Sequence, residues 1–281
     1  MDQSATFDEV WSVIEQMQSS TPILEMKNPG APSVFLAENM LREARRQKKL
    51  AESSVPEICI LDPDGDLLRQ LQDSGRTALC PSWACYHTKM YEFHEAGIRY
   101  GIIGCAVGAA FSVLLAEQAF ASGCELLIGL SSAGQIIASE QAPYFILIER
   151  ALRDEGTSYH YLAPSRYAEA ETALTQPVMA ALLAGGQHVH LGATWTTDAP
   201  FRETAAAITA ARREGILAVE MEAAALYAFA KARGKKVLCF AQVTNQMGQI
   251  DGDFEKGEAN GAHNALALIT IAGRAAMEAN P

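Results

Sequence analysis

The chain has 281 residues, of which 49% are hydrophobic and 20% charged, so it can bury the core of one large domain or two small ones. Its formal net charge of −11 argues against a nucleic-acid or anionic-membrane surface, because such surfaces need a basic patch. No stretch approaches the ~18 consecutive apolar residues of a membrane span and the acidic N-terminal segment shows no signal peptide, so we expect a cytoplasmic protein.

The first 55 residues differ in pattern from the rest of the chain. Segments 7–17 and 33–52 carry apolar residues three or four positions apart, as amphipathic helices do. A stretch rich in proline and glycine at 28–33 separates them. We therefore expect a helical extension over residues 1–55.

In residues 56–281 short apolar runs alternate with longer amphipathic segments. The predicted strands are 57–62, 99–107, 125–132, 144–152, 188–197, 217–221 and 236–244, and the predicted helices include 109–122, 202–214, 221–233 and 256–279. Such alternation indicates one α/β domain with a mostly parallel or mixed sheet.

The six cysteines are scattered, mostly within apolar runs, and no two form a C-x-x-C pair. This usage indicates buried thiols in a reducing compartment and predicts no metal site. His190, on an apolar strand, is interpreted as a core histidine, whereas His87 has polar neighbours and its role stays open. The sequence contains neither a P-loop nor a G-x-S-x-G elbow.

Two turns that contain glycine follow predicted strands, where ligands of α/β sheets bind. In "ILDPDGDLLRQL", at 60–71, Gly65 lets backbone amides approach a ligand and Arg69 supplies a guanidinium for an anion. An ordinary Asp-rich turn is the alternative. In the second turn Gly108 precedes a helix, but Ala106 breaks the G-x-G-x-x-G pattern, so a dinucleotide site is not predicted.

Polar and aromatic residues end three further strands. Ser132 ends the run 125–132, where a hydroxyl suits either a ligand oxygen or an ST-turn. Trp195 and Phe201 are candidates for stacking on a ligand ring, with core packing as the alternative. Asn245 follows the last strand and can donate and accept hydrogen bonds at once, as the edge of a heterocycle requires; a turn-forming Asn is the alternative.

Two glutamates lie at the seam between a buried strand and a helix, in "LAVEMEAAAL" at 217–226. Carboxylates are rarely buried unless something pairs with them. If the strand runs that far, alternation sends Glu220 and Glu222 to one side and Met221 to the other. Glu222 then begins the helix, where the helix dipole favours a carboxylate.

In their order along the chain, these segments resemble the nucleoside phosphorylase/uridine phosphorylase family. The stretches that carry the resemblance are "GDLLRQL", "CAVGAAFSVLLAEQAFASGCELLIGLSSAGQI", "RDEGTSYHYLAP", "TTDAPFRET", "AVEMEAAALYAFAKARG" and "FAQVTN". They extend from about residue 56 to the C-terminus. The resemblance implies a three-layer α/β/α fold with a central mixed sheet, and cleavage of the N-glycosidic bond of a nucleoside with phosphate or water as acceptor.

The resemblance also implies roles on the phosphate side of such a site. Gly65 and Arg69 fall on the family's phosphate-binding loop, in which Leu67 replaces a proline. Ser132 falls on the Ser or Thr that touches phosphate and ribose.

On the nucleoside side, Met221 and Glu222 fall on the ribose-binding Met-Glu pair, and Glu220 on the first glutamate of that motif. Asn245 falls where uridine-cleaving members carry Asn and purine-cleaving bacterial members carry an Asp general acid. The resemblance thus implies that Glu222 accepts hydrogen bonds from ribose hydroxyls and that Asn245 assists the departing base.

The sequence departs from the family's pattern in two places. Gly129 replaces an arginine that binds phosphate in the phosphorylases, and hydrolytic relatives also lack that arginine. Ala106 and Ala110 replace a glycine and a proline in the turn before a helix. Arg202 or His87 are the side chains expected to compensate for the missing guanidinium.

The sequence therefore predicts a nucleoside phosphorylase that uses phosphate as co-substrate, with no other cofactor and no nucleic-acid or membrane partner. Because Asn cannot donate a full proton, a uridine-like or 6-oxopurine nucleoside is the expected substrate. The alternatives are a nucleosidase that uses water and a nucleoside-binding protein without catalysis. The family implies a homo-oligomer, a dimer or a trimer of dimers, with His87 near the shared edge.

Overall fold

The structure is a computed structural model that describes residues 21–25, 27–138, 140–247, 251–254 and 256–279. The helix expected at 7–17 lies outside the described residues. The helices are α1 (Ala37–Lys48), α2 (Asp66–Asp73), α3 (Ala109–Ala121), α4 (Thr172–Ala184), α5 (Ala205–Arg213), α6 (Ala223–Arg233) and α7 (Ala262–Glu278).

The strands alternate with these helices through most of the chain. They are β1 (Ile58–Asp62), β2 (Ala78–Leu79), β3 (Tyr91–Glu95), β4 (Ile98–Gly104), β5 (Leu126–Gln135), β6 (Tyr144–Asp154), β7 (Tyr167–Glu169), β8 (Val189–Thr197), β9 (Ile216–Glu220) and β10 (Lys236–Asn245). Short 3₁₀ segments lie at Pro22–Leu24, Ser158–His160, Pro200–Arg202 and Glu258–Gly261.

All ten strands join one mixed sheet in the order β10-β6-β8-β9-β5-β1-β4-β3-β2, with β7 paired to β6. An additional pairing of β10 with β5 closes β5, β10, β6, β8 and β9 into a ring. The ring closes because β5 has different partners on its two edges. One edge pairs with β10, and the other pairs with β1 at 126–129 and with β9 at 134–135. The parallel strands β1, β4, β5 and β10 therefore end on one side of the sheet.

Helices cover both faces of the sheet, and the alternation within β1 shows how the sequence separates the two. Ile58 and Ile60 join a core with side chains from α2, α4 and α7. Cys59 and Leu61 point the other way and join a core with side chains from α3 and α6. This period of two is that of a strand buried on both faces. The predicted three-layer α/β/α fold with a mixed sheet is confirmed.

The predicted strands are all present, but several helix starts and some elements differ. The helices predicted from 202, 221 and 256 begin later, at α5, α6 and α7. Strands β3 and β7 and helix α4 were not predicted. Helix α4 contains Pro177, and proline is unfavourable inside a helix. The helix forms nevertheless, because Leu174, Val178 and Leu182 are buried against the sheet.

The described part of the N-terminal extension packs on the α/β domain. Leu41 and Ala44 of α1 are buried together with Ala84. At the end of the same helix, the Lys48 ammonium donates to the carbonyls of Ala84 and Cys85, at 2.9 and 2.6 Å. Among the described residues no helix is both long and apolar enough to cross a membrane. The boundary at residue 55 stays a prediction.

Candidate active site

Glu220 ends β9 and is almost completely buried. Its Oε1 accepts hydrogen bonds from the hydroxyls of Thr194 (3.1 Å) and Thr196 (2.5 Å), which lie on the neighbouring strand β8. Its Oε2 accepts from the backbone N–H groups of Glu222 and Ala223, both at 2.7 Å. Four donors thus surround one carboxylate, which is the condition for burying this group without a cationic partner.

The side chain of Glu222 is equally buried but has fewer donors. Its Oε1 accepts from the backbone N–H of Gly108 at 2.7 Å, and its Oε2 from the Ser131 hydroxyl at 2.6 Å. The N–H of Met221 adds a longer contact of 3.3 Å to Oε2. Glu222 is also the N-cap residue of α6, although its side chain makes no capping hydrogen bond.

The two glutamates interact strongly because both are buried and close together. Burial raises the pKa of Glu220, and the hydrogen bonds from Thr196, Ala223 and Glu222 oppose that rise. Burial, reinforced by the charge of Glu220, raises the pKa of Glu222 to about 7. Glu220 has the greater number of donors to its carboxylate, so its charge is the better stabilised of the two.

The backbone brings the pair together differently from the alternation expected for 217–222. Strand β9 ends at Glu220, so Glu222 does not follow from strand alternation. Instead the chain turns at Met221, which is half-buried, and the N–H of Glu222 folds back onto Glu220. One carboxylate therefore fixes the turn that presents the other.

The loop after β4, from Cys105 to Gly108, links this pair to the predicted phosphate loop. Gly108 donates to Glu222, as described above. At the other end of the loop, Cys105 lies against Gly65, where an added Cβ would come within 2.7 Å of the Cys105 sulfur. Cys105 and Gly65 both adopt positive φ, 60° and 75°, a conformation that only glycine adopts without strain.

The predicted phosphate loop already contains an internal carboxylate. Asp62 ends β1 and is buried, and it accepts from the N–H groups of Gly65 (3.2 Å) and Leu68 (2.9 Å). Backbone N–H groups at the start of a helix are those that an anion would use. Burial raises the pKa of Asp62 to about 6, and the nearby charges of Asp66 and Asp64 add to the rise.

The two cations of this region are paired with aspartates of the same loop. The Arg69 guanidinium, which is half-exposed, donates to Asp66 Oδ1 at 2.5 Å and to the Asp64 carbonyl at 2.8 Å. The Lys256 ammonium, which was not predicted, lies 2.6 Å from Asp64 and 2.5 Å from Asp66. With Asp62 ionised, three carboxylates face two cations, so the loop carries no surplus positive charge.

Ser132 faces a cavity of about 10 Å³ between this loop and the end of β5. Its walls include Asp62, Asp64, Asp66, Ser132, Gln242 and Asn260. A cavity of this size holds about one water molecule. In the described arrangement the space beside Ser132 is therefore water-sized rather than phosphate-sized.

Gly129 is buried in the middle of β5, between β1 and β10. A Cβ added there would lie 3.3 Å from the Leu226 side chain and 3.5 Å from the Cys239 sulfur. A longer side chain at this position would meet a packed core, so the neighbourhood has adapted to the glycine.

The residues predicted to contact the base are placed in two different settings. Asn245 ends β10 beside Gly134; its Oδ1 accepts from the Met247 N–H at 2.8 Å and its Nδ2 donates to the Thr244 hydroxyl at 3.1 Å. Trp195 is buried on β8 and its indole N–H donates to Asp154 at 2.9 Å. Their roles towards a base stay predictions.

Phe201 lies in the 3₁₀ segment after β8, with 98% of its surface exposed. Asp198 accepts from the Gly156 N–H at 2.8 Å, and the Thr204 hydroxyl caps α5 by accepting from the Ala207 N–H. Arg202 is exposed as well.

The structure thus brings the predicted residues into two groups joined by the Cys105–Gly108 loop. The first group contains Glu220, Glu222 and Met221; the second contains Gly65, Arg69 and Ser132. Several contributors were not predicted: Asp62, Thr194, Thr196 and Lys256. The signal for three of them is a shared property, since Asp62, Thr194 and Thr196 are polar residues within or at the end of apolar strands.

Comparisons with known proteins identify the family of the chain. A family model described as the Phosphorylase superfamily matches residues 57–274. Among curated relatives, a uridine phosphorylase of Thermococcus kodakarensis is 26% identical over 201 residues, 65% of this chain and 70% of that protein. A guanosine phosphorylase of Halorubrum lacusprofundi is 23% identical over 215 residues, 75% of this chain and 84% of that protein.

Solved structures show the same fold. The crystal structure of a uridine phosphorylase from Vibrio fischeri superposes with a TM-score of 0.64 at 20% identity. The match covers 90% of this chain and 99% of that one, so the fold is shared over almost the entire length of that protein.

Proposed function

The chain belongs to the phosphorylase superfamily, and on that premise we propose that it cleaves the N-glycosidic bond of a ribonucleoside and transfers the ribosyl group to phosphate. It is accordingly a pentosyltransferase. Curated relatives are named uridine and guanosine phosphorylases, which supports uridine or a 6-oxopurine nucleoside as the substrate.

One observation carries the proposal. The Cys105–Gly108 loop contacts both the buried carboxylate of Glu222 and the glycine of the predicted phosphate loop. A sugar-binding carboxylate and an acceptor site must lie on either side of one anomeric carbon for transfer to occur. The shared loop supplies that proximity.

Glu222 has the properties needed at the ribose. Cleavage passes through a transition state with oxocarbenium character, and a nearby carboxylate stabilises the positive charge that develops on the sugar. The Glu222 carboxylate is held by Gly108 and Ser131 and so is fixed in position before substrate binds. Its remaining lone pairs would accept hydrogen bonds from ribose hydroxyls, with Met221 packing on the sugar.

Asn245 would stabilise the departing base. Its Oδ1 is engaged by the Met247 N–H, which orients the amide so that the second proton on Nδ2 remains for a carbonyl oxygen of the base. An amide stabilises an anionic oxygen without protonating the ring, which suits uracil or a 6-oxopurine better than adenine. Trp195 and Phe201 are proposed to stack on the base, and Phe201 has the exposure to do so.

Phosphate would enter through the loop that contains Gly65 and Arg69, next to Ser132. Asp66 already pairs with both Arg69 and Lys256. Phosphate would therefore have to replace Asp66 as the partner of these two cations. No cofactor other than this co-substrate is proposed.

The test is the release of base from uridine, inosine and adenosine, measured with and without phosphate. We expect uridine or inosine to react faster than adenosine, and the rate to depend on phosphate concentration. Equal rates of base release with and without phosphate would exclude phosphorolysis. The absence of turnover with all three nucleosides would exclude an enzyme and favour a nucleoside-binding protein.

A hydrolytic nucleosidase is the second candidate, and the surroundings of Asp62 favour it. The cavity beside Asp62 is water-sized, and the described residues that line it include no cation. Gly129 also stands where the family resemblance implies a phosphate-binding arginine. A carboxylate whose pKa is raised to about 6 by burial can act as a general base for a water molecule near neutral pH.

Asp62→Asn distinguishes the two candidates. Under hydrolysis the substitution removes the base and lowers phosphate-independent turnover by about 10²–10⁴-fold. Under phosphorolysis it removes a negative charge near the phosphate and leaves turnover at saturating phosphate within a few-fold. Circular dichroism must show that the variant still folds, because Asp62 also holds the loop through Gly65 and Leu68.

We also propose a homo-oligomer in the cytoplasm. Phe201, fully exposed in one subunit, is placed to reach a neighbour's site or to be covered by it. Five of the six thiols are buried and none forms a disulfide, which fits a reducing compartment. Light scattering after size-exclusion chromatography tests the assembly, and Phe201→Ser should weaken it if Phe201 lies at the interface.

A further inference from the structure

A set of side chains typical of metal ligands lies away from the candidate active site. His188 and His190 flank Val189 where β8 begins, so both rings lie on the same side of the strand. Glu140, in the loop between β5 and β6, lies across from them. The ligating atoms of these three residues all lie within 4.8 Å of one another.

The distances from the carboxylate to the two rings suit a shared ion. Glu140 Oε2 lies 2.7 Å from His188 Nε2, and Glu140 Oε1 lies 3.4 Å from His190 Nε2. Two ligands of one zinc ion, each bound at about 2.0–2.2 Å, lie no more than about 4.4 Å apart. The 3.4 Å separation from His190 is that of two ligands of one tetrahedral ion, whereas the 2.7 Å contact with His188 is a direct hydrogen bond. His188, whose side chain is 73% exposed, would move away from Glu140 to complete the set.

His190 supplies a second, independent observation. The sequence suggests a core histidine with its hydrogen bonds satisfied, yet the shielded Nε2 makes no hydrogen bond of good geometry among the described residues, and Glu140 Oε1 faces it at 3.4 Å. The ring itself is held in place, packing edge-on against Tyr144 with the ring centres 5.2 Å apart. A rigid imidazole nitrogen that is shielded from water and faces a carboxylate oxygen without a good hydrogen bond gains from an ion that both groups can bind.

We propose that His188, His190 and Glu140 bind a divalent transition-metal ion, with zinc as the reference ion. Two imidazoles and one carboxylate form a donor set suited to Zn²⁺, whereas Mg²⁺ and Ca²⁺ prefer sites made entirely of oxygen. Three protein ligands leave a fourth position for water.

The site is structural rather than part of the nucleoside site. Thr196, which donates to Glu220, lies six residues after His190 on the same strand, and six extended residues span about 20 Å. The ion ties the loop that carries Glu140 to the start of β8. Because that loop leads into Tyr144, which pairs with Val243 near the end of β10, the ion stiffens the rim of the sheet beside Asn245.

No local motif predicts this site from the sequence, because Glu140 and His188 are 48 positions apart. The absence of a C-x-x-C pair led to an expectation of no metal site. Only the pairing of β6 with β8 brings the loop that precedes β6 next to the histidines.

The experiment is a calorimetric titration of the full chain with ZnCl₂ after removal of metals by chelation. We expect one Zn²⁺ per chain and a rise in melting temperature with zinc that Mg²⁺ does not produce. His190→Gln, His188→Gln and Glu140→Gln should each weaken zinc binding by about tenfold or more and abolish the thermal shift. His94→Gln, at an exposed position on β3, is the matched control and should bind zinc as the unaltered chain does.

The cysteine thiols are the alternative ligands, and the variants separate them. Cobalt(II) reports the ligand type, since thiolate ligation adds an intense near-ultraviolet charge-transfer band that nitrogen and oxygen ligands lack. Absence of zinc binding overturns the proposal. So does binding that persists in all three variants or that shows the thiolate band. Because His188 and Glu140 are both accessible to solvent, their variants should retain the fold, which circular dichroism verifies.

Discussion

The two groups of the candidate active site use carboxylates in opposite ways. Glu220 and Glu222 are buried, contact no cation among the described residues, and are held by hydroxyl and backbone donors. Asp64 and Asp66 of the phosphate loop are more accessible and are paired with Arg69 and Lys256. The first group is held in one arrangement before a ligand binds. In the second group the aspartates and the two cations neutralise one another.

This difference indicates where the protein has fixed its specificity. The sugar side is preorganised, because moving Glu222 would leave buried donors without partners. The acceptor side consists of exposed ion pairs, which contribute little stability and exchange partners readily. Under the proposed function, a nucleoside would meet a prepared surface, and the acceptor would have to compete with internal aspartates.

Glu222→Gln tests the sugar side and has the largest expected effect. The amide keeps the shape and can still pair with Gly108 and Ser131, but it lacks the negative charge that faces the ribosyl cation. We expect kcat/KM for base release to fall by about 10²–10³-fold. Glu125→Gln, at an exposed position, is the control. Unchanged turnover would remove Glu222 from the chemistry.

Glu220→Gln tests whether the rigid side depends on its inner carboxylate. The amide oxygen can accept from the two backbone N–H groups, but its NH₂ group must then donate to the Thr194 and Thr196 hydroxyls, which have to give up their own donation to the carboxylate, and Thr196 already accepts from the Ala224 N–H. We expect the free energy of unfolding to fall by about 2–3 kcal/mol, measured by urea denaturation with an unchanged m-value. A variant as stable as the unaltered chain would show that the network is not tightly held.

Glu222→Gln should change how the free energy of unfolding depends on pH, again measured by urea denaturation. The pKa of Glu222 is about 7 in the folded chain, above the ordinary value of 4.5. The folded state therefore binds more protons, and the unaltered chain loses stability as pH rises from 4.5 through 7. Since the amide does not ionise, the variant should lose less stability than the unaltered chain over that interval.

Asp66→Asn tests the self-neutralised side. The substitution removes one carboxylate shared by Arg69 and Lys256 and leaves both cations with more capacity for an anion. We expect the KM for phosphate to fall by about tenfold, which corresponds to one charge-assisted contact. Asp73→Asn, at the exposed end of the same helix, is the control. A higher KM for phosphate in the variant would contradict the idea that Asp66 competes with phosphate for the two cations.

Ser131→Ala has the smallest expected effect and links protonation to the sugar side. The Ser131 hydroxyl lowers the pKa of Glu222, so its loss raises that pKa further. If the ionised carboxylate is required, activity falls as pH drops through about 7, and in the variant this fall occurs at higher pH. Ser132→Ala is the matched neighbour and should leave the acidic limb of the profile in place.

The sequence predicted the fold well because β1, β5 and β10 have clear apolar runs and short connections. It singled out Glu222 because a glutamate in such a run is rarely buried without a partner or a function, and the structure shows the burial while the role stays a prediction. It did not predict that the Asp62 carboxylate accepts from the backbone N–H groups of the predicted phosphate loop. The same residues are compatible with a loop whose N–H groups are free for a ligand and with one in which Asp62 already binds them. Lys256 is likewise distant in sequence from its partners Asp64 and Asp66, and only packing brings them together.

The ring of five strands has one weak seam. Strand β5 pairs with β10 at nine positions but with β9 at only two, Gly134 and Gln135. Amide protons along that seam should exchange with solvent faster than those shared with β10, since local opening there breaks few bonds. Opening would carry Glu220 and Glu222 away from Ser131, and a bound nucleoside that bridges the two strands would slow the exchange.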